Sequence, residues 1–152
     1  MKILDFLDPQ SIAVDLKSQA KRDVIQELCQ LLCRSKRISD DKLITEILMQ
    51  REALGSTGIG QGIAIPHGKA KGMGSMVAAV GISKKGVDFE ALDGEPVHVV
   101  FLLVAPEDSA AAHLKALARI SRLLKDKFVR TALKESKTPE DIIKIIQEDD
   151  QY

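Results

Sequence analysis

One imidazole, His67, stands in a stretch of sequence whose residue types suit the handling of a phosphoryl group. A neutral imidazole is a nucleophile at pH 7 because its pKa is about 6.5, so it can attack phosphorus and leave again without an auxiliary base. Upstream of it lie Arg51, Ser56, Thr57 and repeated glycines. A guanidinium, hydroxyls and backbone N–H groups stabilise the charge that spreads over the phosphoryl oxygens during transfer. We therefore predict that His67 accepts a phosphoryl group, on either ring nitrogen.

Glycines are concentrated in the same segment. Seven of the ten glycines fall between Gly55 and Gly74, although ordering glycine costs more backbone entropy than ordering other residues. Closely spaced glycines allow backbone N–H groups to converge on an anion. We predict that Ser56, Thr57, Gly58 and Gly68 bind the phosphoryl oxygens. The alternative is a flexible surface loop that carries an ordinary histidine, but the isoleucines that alternate with the glycines are atypical of free linkers.

Two further side chains are candidates for the same site. Arg51 continues the Ile44 and Ile47 row on the inward side of a predicted helix. There it either caps the C-terminal carbonyls of its own helix or reaches the phosphoryl oxygens as a bidentate fork. His113 lies near the N-terminus of a later helix, where free N–H groups and the helix dipole favour an anion. We predict that His113 is a second phosphate ligand, the alternative being a core histidine tethered by a hydrogen bond.

The other side chains that could do chemistry are predicted to have structural roles. His98 lies inside an apolar run with no glycine, hydroxyl or arginine beside it, so we interpret it as structural. Asp108 and Ser109 are predicted to cap the helix that follows them. Cys29 and Cys33 stand four apart on a predicted amphipathic helix, which favours two buried thiols over a redox or zinc site.

Familiar alternatives fail on spacing. The glycine segment that ends at Lys69 is one residue too long for a P-loop, and no dinucleotide-binding glycine pattern is completed. The spacings of the three histidines match no zinc-ligand pattern, so we expect neither a metal nor a cofactor. A hydrolase with Ser56 as nucleophile and His67 as base is a remote alternative, because Ser56 stands outside a G-x-S-x-G motif. A second one is a non-catalytic interaction module that docks partners through the glycine segment.

Composition excludes several classes of partner. The 22 basic and 22 acidic side chains balance, and 3% of the residues are aromatic. Neither a nucleic-acid groove nor a basic membrane face is indicated. No apolar run approaches the roughly 20 residues that span a bilayer, and the first residues are too acidic for a signal sequence. We expect a cytoplasmic chain without membrane insertion, whose partner is a protein or a small anion.

Helical and extended patterns surround the candidate site. Helical periodicity covers residues 21–34, 40–53, about 109–125 and about 128–135, and a last helix opens at Thr138. Extended segments are predicted at 12–16, 63–65, 76–82 and 97–105. Pro66 stops the second of these, so His67 is expected just past a strand end. The order of elements predicts a single α+β domain over 1–152, with an α/β/α three-layer arrangement and a mixed parallel and antiparallel sheet of four to five strands.

The residues around His67 resemble a known family. They are Arg51-Glu-x-x-Gly-Ser56-Thr57-Gly-Ile-Gly-x-Gly-Ile-Ala-Ile-Pro66-His67-Gly68-Lys69 and the later His113-Leu114. This pattern is similar to the fructose/mannitol-type enzyme IIA domain of the bacterial phosphotransferase system, and the likeness covers essentially the whole chain. Because no permease or phosphocarrier domain is attached, the free-standing nitrogen-regulatory branch is the better match.

The resemblance implies a function and a set of partners. It implies a phosphotransferase component in which His67 accepts a phosphoryl group from an HPr-like carrier, called NPr in the nitrogen branch, with Arg51 and His113 in the same pocket. It also implies regulation of potassium-transport or sensor-kinase proteins. The alternative is a sugar-specific protein that passes phosphate to a IIB domain. Mannitol-type members carry an acid six residues before the active histidine, whereas Gln61 is a neutral amide, which favours the regulatory interpretation.

Overall fold

A six-stranded mixed sheet lies between two helical layers in the computed structural model, which describes residues 1–151. The strands are β1 (Leu7–Ala13), β2 (Gly58–Gly60), β3 (Ile63–Ala64), β4 (His67–Ala70), β5 (Val77–Val87) and β6 (Val97–Pro106). The helices are α1 (Lys21–Arg34), α2 (Asp41–Ala53), α3 (Ala110–Leu124), α4 (Lys127–Glu135) and α5 (Pro139–Asp149). The predicted α+β, three-layer arrangement is confirmed, although the sheet has six strands rather than four to five. The strand expected at 12–16 lies earlier, at Leu7–Ala13.

Strand β6 is the centre of the sheet. It pairs antiparallel with β5 on one side and parallel with β3 and β4 on the other. Strand β1 extends the sheet in parallel beyond β5, and β2 pairs antiparallel with β3. Because helices cover both faces of β5 and β6, these strands carry nearly continuous buried apolar runs instead of an apolar–polar alternation.

The sheet separates two apolar cores. Helices α1 and α2 pack on one face, where Leu28, Leu48 and Leu102 are fully buried. Helices α3, α4 and α5 pack on the other, with Phe101 and Ile120 at the centre of that core. From Val99 to Val104, successive residues of β6 point to opposite cores, as the pleat of a strand requires. The site residues are therefore carried by elements that are anchored from both sides.

The break at Pro66 positions His67. Ala64 pairs with Val100 and His67 pairs with Leu103, so the parallel register is preserved across the interruption. Proline has no N–H to donate, but the Pro66 carbonyl still accepts a 2.9 Å hydrogen bond from the Leu103 N–H. His67 thus lies past the end of β3, as expected, but the extended chain does not stop there. The strand resumes after one disrupted step, and His67 is the first residue of β4.

Side-chain burial in α1 and α2 corrects one smaller expectation, that both cysteines are buried. Leu43 is 52% exposed, because the buried face of α2 is formed instead by Ile44, Thr45, Leu48 and Glu52. Cys29 is fully buried, and burial raises the pKa of its thiol to about 11. Cys33 is only half-buried. No helix in residues 1–151 is both long enough and apolar enough to cross a membrane.

Candidate functional site

An open cleft lies between α2, β4 and the start of α3. Its lining residues are Ile47, Gln50, Arg51, Leu54, His67, Gly68, Lys69, Ala110, His113, Leu114 and Leu117. Its volume is about 490 Å³, which is in the range of small-ligand sites. Three residues that lie far apart in the sequence, Arg51, His67 and His113, thus share one cavity.

The orientation of the His67 ring is set by its own backbone. Its Nδ1 lies 2.8 Å from the carbonyl oxygen of Ile65. A carbonyl can only accept a hydrogen bond, so in the neutral ring Nδ1 carries the proton and Nε2 keeps a free lone pair. The half-buried ring thus has its nucleophilic electron pair on Nε2.

His113 is the second imidazole of the cleft. The two rings stand edge to face, with centroids 5.5 Å apart and an interplanar angle of 75°. His113 is only 6% exposed, and its buried Nε2 has no hydrogen-bond partner among residues 1–151. Burial is the main cause that lowers the pKa of His113 below 6.5, and the nearby charges of His67 and Lys69 lower it further. An unpartnered buried nitrogen in a cleft is suited to a ligand atom.

The start of α3 adds positive potential to the cleft. Ser109 occupies the N-cap position, but its hydroxyl donates to the Pro106 carbonyl at 2.6 Å instead of capping the helix. The prediction that Asp108 and Ser109 cap α3 is therefore wrong, because the tight turn after β6 directs this hydroxyl backward. Ala110, the first residue of α3, lines the cleft. The positive end of the helix dipole is available to an anion there.

Arg51 combines features of both sequence interpretations. It lies in the last turn of α2, and its Nη1 donates to the Gly55 carbonyl at 2.9 Å, just beyond the end of the helix. The side chain also lines the cleft with the two histidines. One nitrogen thus tethers the guanidinium, and its other donors remain available to an anion.

The hydroxyls predicted as phosphate ligands have other partners. Thr57 is buried, and its N–H and hydroxyl both donate to the carboxylate of Glu52, the former at 3.1 Å. The Ser56 hydroxyl donates to the Phe89 carbonyl at 2.6 Å, and Ser56 lines a separate depression. Their role as phosphate ligands stays a prediction that this geometry does not favour.

The glycines serve mainly to bring parts of the chain together. A Cβ on Gly58 would lie 2.9 Å from the backbone of Ala91, so glycine lets β2 approach that segment. Gly68 does line the cleft, and a Cβ there would lie 3.0 Å from the Ile47 side chain of α2. At both positions, the group that comes close to the glycine backbone is therefore another part of the protein.

His98 has the structural setting expected for it. Its Nδ1 is 2.8 Å from the Ser83 carbonyl oxygen, and the ring is half-buried beside β5. Within the described residues, no group of three or more histidine, cysteine or acidic side chains converges as metal ligands would.

Comparison with known proteins places the chain in a family. The family described as "Phosphoenolpyruvate-dependent sugar phosphotransferase system, EIIA 2" matches residues 5–149. The chain belongs to this EIIA family. Membership makes it a component of a phosphotransferase system, and the resemblance seen in the sequence is confirmed.

Relatives of this EIIA chain include regulatory and sugar-specific proteins. It is 40% identical over 150 residues to the fructose-specific EIIABC component of Bacillus subtilis. The match covers 99% of this chain but only 24% of that longer protein. It is 39% identical over 148 residues to a nitrogen regulatory protein of Bradyrhizobium diazoefficiens, covering 96% of this chain and 95% of that protein. The crystal structure of IIA-Ntr from Neisseria meningitidis superposes with a TM-score of 0.87 at 32% identity, covering 93% and 97% of the two chains. The EIIA chain therefore matches the nitrogen regulatory proteins in extent as well as in fold.

The position of Gln61 does not support its use to distinguish the regulatory from the sugar-specific subtype. It occupies the turn between β2 and β3 with a left-handed φ of 58°, and its N–H donates to the Asp93 carboxylate at 2.9 Å. Its exposed side chain is not among those that line the cleft. The similarity to nitrogen regulatory proteins, and not this amide, thus supports the regulatory interpretation.

Seven lining residues of the EIIA chain were not predicted as site residues, and three of these bear directly on binding. Lys69 follows His67 by two positions on β4, so strand periodicity alone puts it on the same side. Leu54 and Leu114 are 85% and 68% exposed and form an apolar rim on the cleft. No sequence signal separates such exposed leucines from core leucines. An exposed apolar rim beside a polar cleft is typical of a protein-binding surface.

We expect His113 to titrate below the ordinary histidine pKa of about 6.5, because burial and cationic neighbours disfavour its imidazolium. NMR titration of the ring, assigned with His113→Gln, measures this directly. In the pH window between the folded pKa and about 6.5, the unfolded state binds more protons. The free energy of unfolding should therefore decrease as pH falls through this window, and His113→Gln should remove that part of the slope. A His113 pKa at or above 6.5 would contradict the assignment.

Proposed function

We propose that this EIIA chain is a phosphohistidine carrier and a phosphorylation-dependent regulator related to nitrogen or potassium. Nε2 of His67 accepts the phosphoryl group from the phosphohistidine of an HPr- or NPr-like carrier. One observation carries the proposal: a free lone pair on His67 and an unpartnered Nε2 on His113 share one open cleft. We further propose that residues 1–152 form one such domain, which acts in the cytoplasm.

The transfer step follows from the ring geometry. The Nε2 lone pair attacks phosphorus as the donor's N–P bond breaks, and the donor ring keeps the electron pair of that bond. The Nδ1–H of His67 stays on the Ile65 carbonyl. This hydrogen bond strengthens as positive charge develops on the ring during attack, since a bond from a charged donor is stronger than a neutral one.

The surroundings of His67 suit the charge of the transferring group. His113 donates from Nε2 to one phosphoryl oxygen, which satisfies a nitrogen that otherwise lacks a partner. The guanidinium of Arg51, the ammonium of Lys69 and the N-terminus of α3 add positive charge. Phosphoryl transfer depends mainly on such positioning and electrostatic stabilisation.

The shape of the cleft favours a donor carried on a protein. The cleft is open to solvent, and Leu54 and Leu114 project from its rim. A partner that buries these leucines brings its own phosphohistidine to His67 without a soluble intermediate. The hydrolase alternative loses support, because the Ser56 hydroxyl bonds to the Phe89 carbonyl and Ser56 lines a different depression.

Two sets of relatives support two versions of this function. Nearly full-length similarity to nitrogen regulatory proteins supports regulation of targets such as potassium transporters or sensor kinases. Similarity to a fructose-specific EIIABC component supports the alternative, in which the phosphoryl group passes to a IIB domain. We favour the regulatory version because nitrogen regulatory proteins recur among the relatives and the IIA-Ntr structure superposes with a TM-score of 0.87 at 32% identity.

Incubation with enzyme I, an HPr-type carrier and phosphoenolpyruvate should attach one acid-labile, base-stable phosphate, which NMR should assign to Nε2 of His67. His67→Ala should abolish labelling, because the other imidazole of the cleft, His113, is buried and serves in this proposal as a donor to the phosphoryl oxygens. His98→Gln is the matched control and should label like the wild type. Full labelling of His67→Ala would refute the carrier function, and phosphate on Nδ1 would refute the tautomer.

Removal of His113 or Arg51 should slow transfer without removing the acceptor. Loss of one donor to a developing oxyanion typically costs about 100-fold to 1,000-fold in rate. His113→Ala and Arg51→Ala should therefore show slower single-turnover labelling in rapid-quench experiments while reaching the same final stoichiometry. A rate equal to that of the wild type would remove the substituted residue from the site.

Onward transfer separates the regulatory and sugar-specific versions. The isolated phosphorylated chain should lose its label to a fructose-type IIB domain no faster than by spontaneous hydrolysis, whereas transfer back to the carrier should be rapid. Rapid appearance of label on the IIB domain would favour the sugar-specific alternative. In a pull-down, equal binding of partners by the wild type, His67→Ala and His67→Glu would instead favour a pure interaction module.

A further inference from the structure

Glu52 is a buried carboxylate immediately next to Arg51. It is 6% exposed, although it lies in the last turn of α2, where the negative end of the helix dipole disfavours an acid. Its two oxygens accept hydrogen bonds from the N–H and the hydroxyl of Thr57. Lys21 adds an ion pair, with its Nζ 3.2 Å from Oε1 of Glu52. Helix stability alone therefore does not account for this residue.

The contacts of Glu52 attach the loop after α2 to the rest of the domain. Lys21 is the first residue of α1, and its ammonium lies 5.2 Å from the centre of the Phe89 ring. The Ser56 hydroxyl donates to the backbone carbonyl of the same phenylalanine. The loop of residues 54–57 is thus held between α1 and the segment around Phe89 by the side chains of Glu52, Ser56 and Thr57.

This loop carries the carbonyl that tethers the cleft arginine. The Gly55 N–H donates to the Glu52 carbonyl at 3.0 Å, and the Gly55 carbonyl accepts from Nη1 of Arg51 at 2.9 Å. Gly55 has a φ of 151°, and a side chain placed there would meet no atom within 4 Å. The direction of this carbonyl is therefore set by the flanking residues, including Ser56, which bonds to Phe89, and Thr57, which bonds to Glu52.

We propose that Glu52 is a positioning residue for phosphoryl transfer, acting through Thr57 and the Gly55 carbonyl to hold the Arg51 guanidinium at the cleft. The inference rests on the proposed function. It also gives a role to Thr57, which belongs to the motif around His67 but does not line the cleft. The Thr57 carbonyl accepts from the Ile65 N–H at 3.0 Å, a backbone bond in which the side chain of residue 52 takes no part. The effect of such a substitution should therefore reach the site through Arg51.

Two substitutions test the inference with little change in volume. Glu52→Gln replaces one acceptor oxygen by an N–H₂ donor, which cannot accept from Thr57 or Lys21. Thr57→Val removes only the hydroxyl contact, so it remains informative if Glu52→Gln fails to fold. Displacement of a group that positions the reacting atoms can cost up to about 100-fold in rate. We expect each variant to slow single-turnover labelling of His67 by about 10-fold or more, with unchanged final stoichiometry.

A double-mutant cycle distinguishes positioning from general destabilisation. In an Arg51→Ala background, Glu52→Gln and Thr57→Val should cause little further slowing, because the group they position is absent. Thr57→Ser, which restores the hydroxyl, should recover most of the rate lost in Thr57→Val. NMR of the Arg51 guanidinium should show restricted Nη rotation in the wild type and averaged signals in Glu52→Gln.

The matched control is a buried carboxylate remote from the cleft. Asp150 is buried and pairs with Arg119 at 2.6 Å, so Asp150→Asn removes a comparable ion pair and should lower stability without slowing labelling. Equal slowing by Glu52→Gln with and without Arg51, or no slowing at all, would overturn the inference. Labelling that survives His67→Ala would instead overturn the proposed function, so the two failures are distinguishable.

Discussion

The hydrogen bond between His67 and the Ile65 carbonyl exists because the sheet edge is open at that point. Strand β2 begins at Gly58, which pairs with Ala64, so Ile65 lies just outside the β2–β3 ladder and its carbonyl is available to the ring. Its N–H is fixed by the Thr57 carbonyl on the same side. Pro66 then turns its own carbonyl toward Leu103, which keeps the register of the ladder. A backbone acceptor is thus presented to the ring two residues later, and the tautomer of His67 is set by main-chain geometry.

The tautomer of His67 determines which ring nitrogen is free, and therefore which residues of the cleft lie near an attached phosphoryl group. With Nε2 free, an edge-to-face neighbour such as His113 has its ring near the position that an attached phosphoryl group would occupy. Burial lowers the pKa of this neighbour and so favours its neutral form, which leaves Arg51 and Lys69 as the cationic side chains of the cleft. Neutral hydrogen bonding from one side and positive charge from the other suit a group that must be held firmly and also released. Stronger charge pairing would favour a stable adduct over a transferable one.

Periodicity predicted the scaffold better than it predicted the site. Helix α1 begins and ends where the apolar repeat does, and the two central strands were evident as unbroken apolar runs. Pro66 correctly marked the end of β3, but the resumption of pairing at His67 was not predicted, because it depends on the bond between the Pro66 carbonyl and Leu103 of the partner strand. Thr57 was taken for a phosphate ligand because its hydroxyl stands beside the glycines, whereas its orientation depends on the burial of Glu52. Such side-chain pairings arise from tertiary packing, which a local pattern does not encode.

Phosphorylation would change the charge of the cleft, and this change could distinguish the two states without a conformational movement. Addition of a group with a charge near −2 places negative charge between Arg51, Lys69 and the start of α3, where the unphosphorylated surface is cationic. The exposed rim leucines, Leu54 and Leu114, carry no charge, so we expect phosphorylation to alter the charge at the centre of the cleft and leave the apolar character of its rim unchanged. Partners that bury this rim would then discriminate the states by the charge at its centre, because like charges brought together in a partly dry interface are costly. A rigid site with one covalent change is therefore sufficient for a phosphorylation-dependent regulator, and the tethered guanidinium of Arg51 is the group most directly affected by that change.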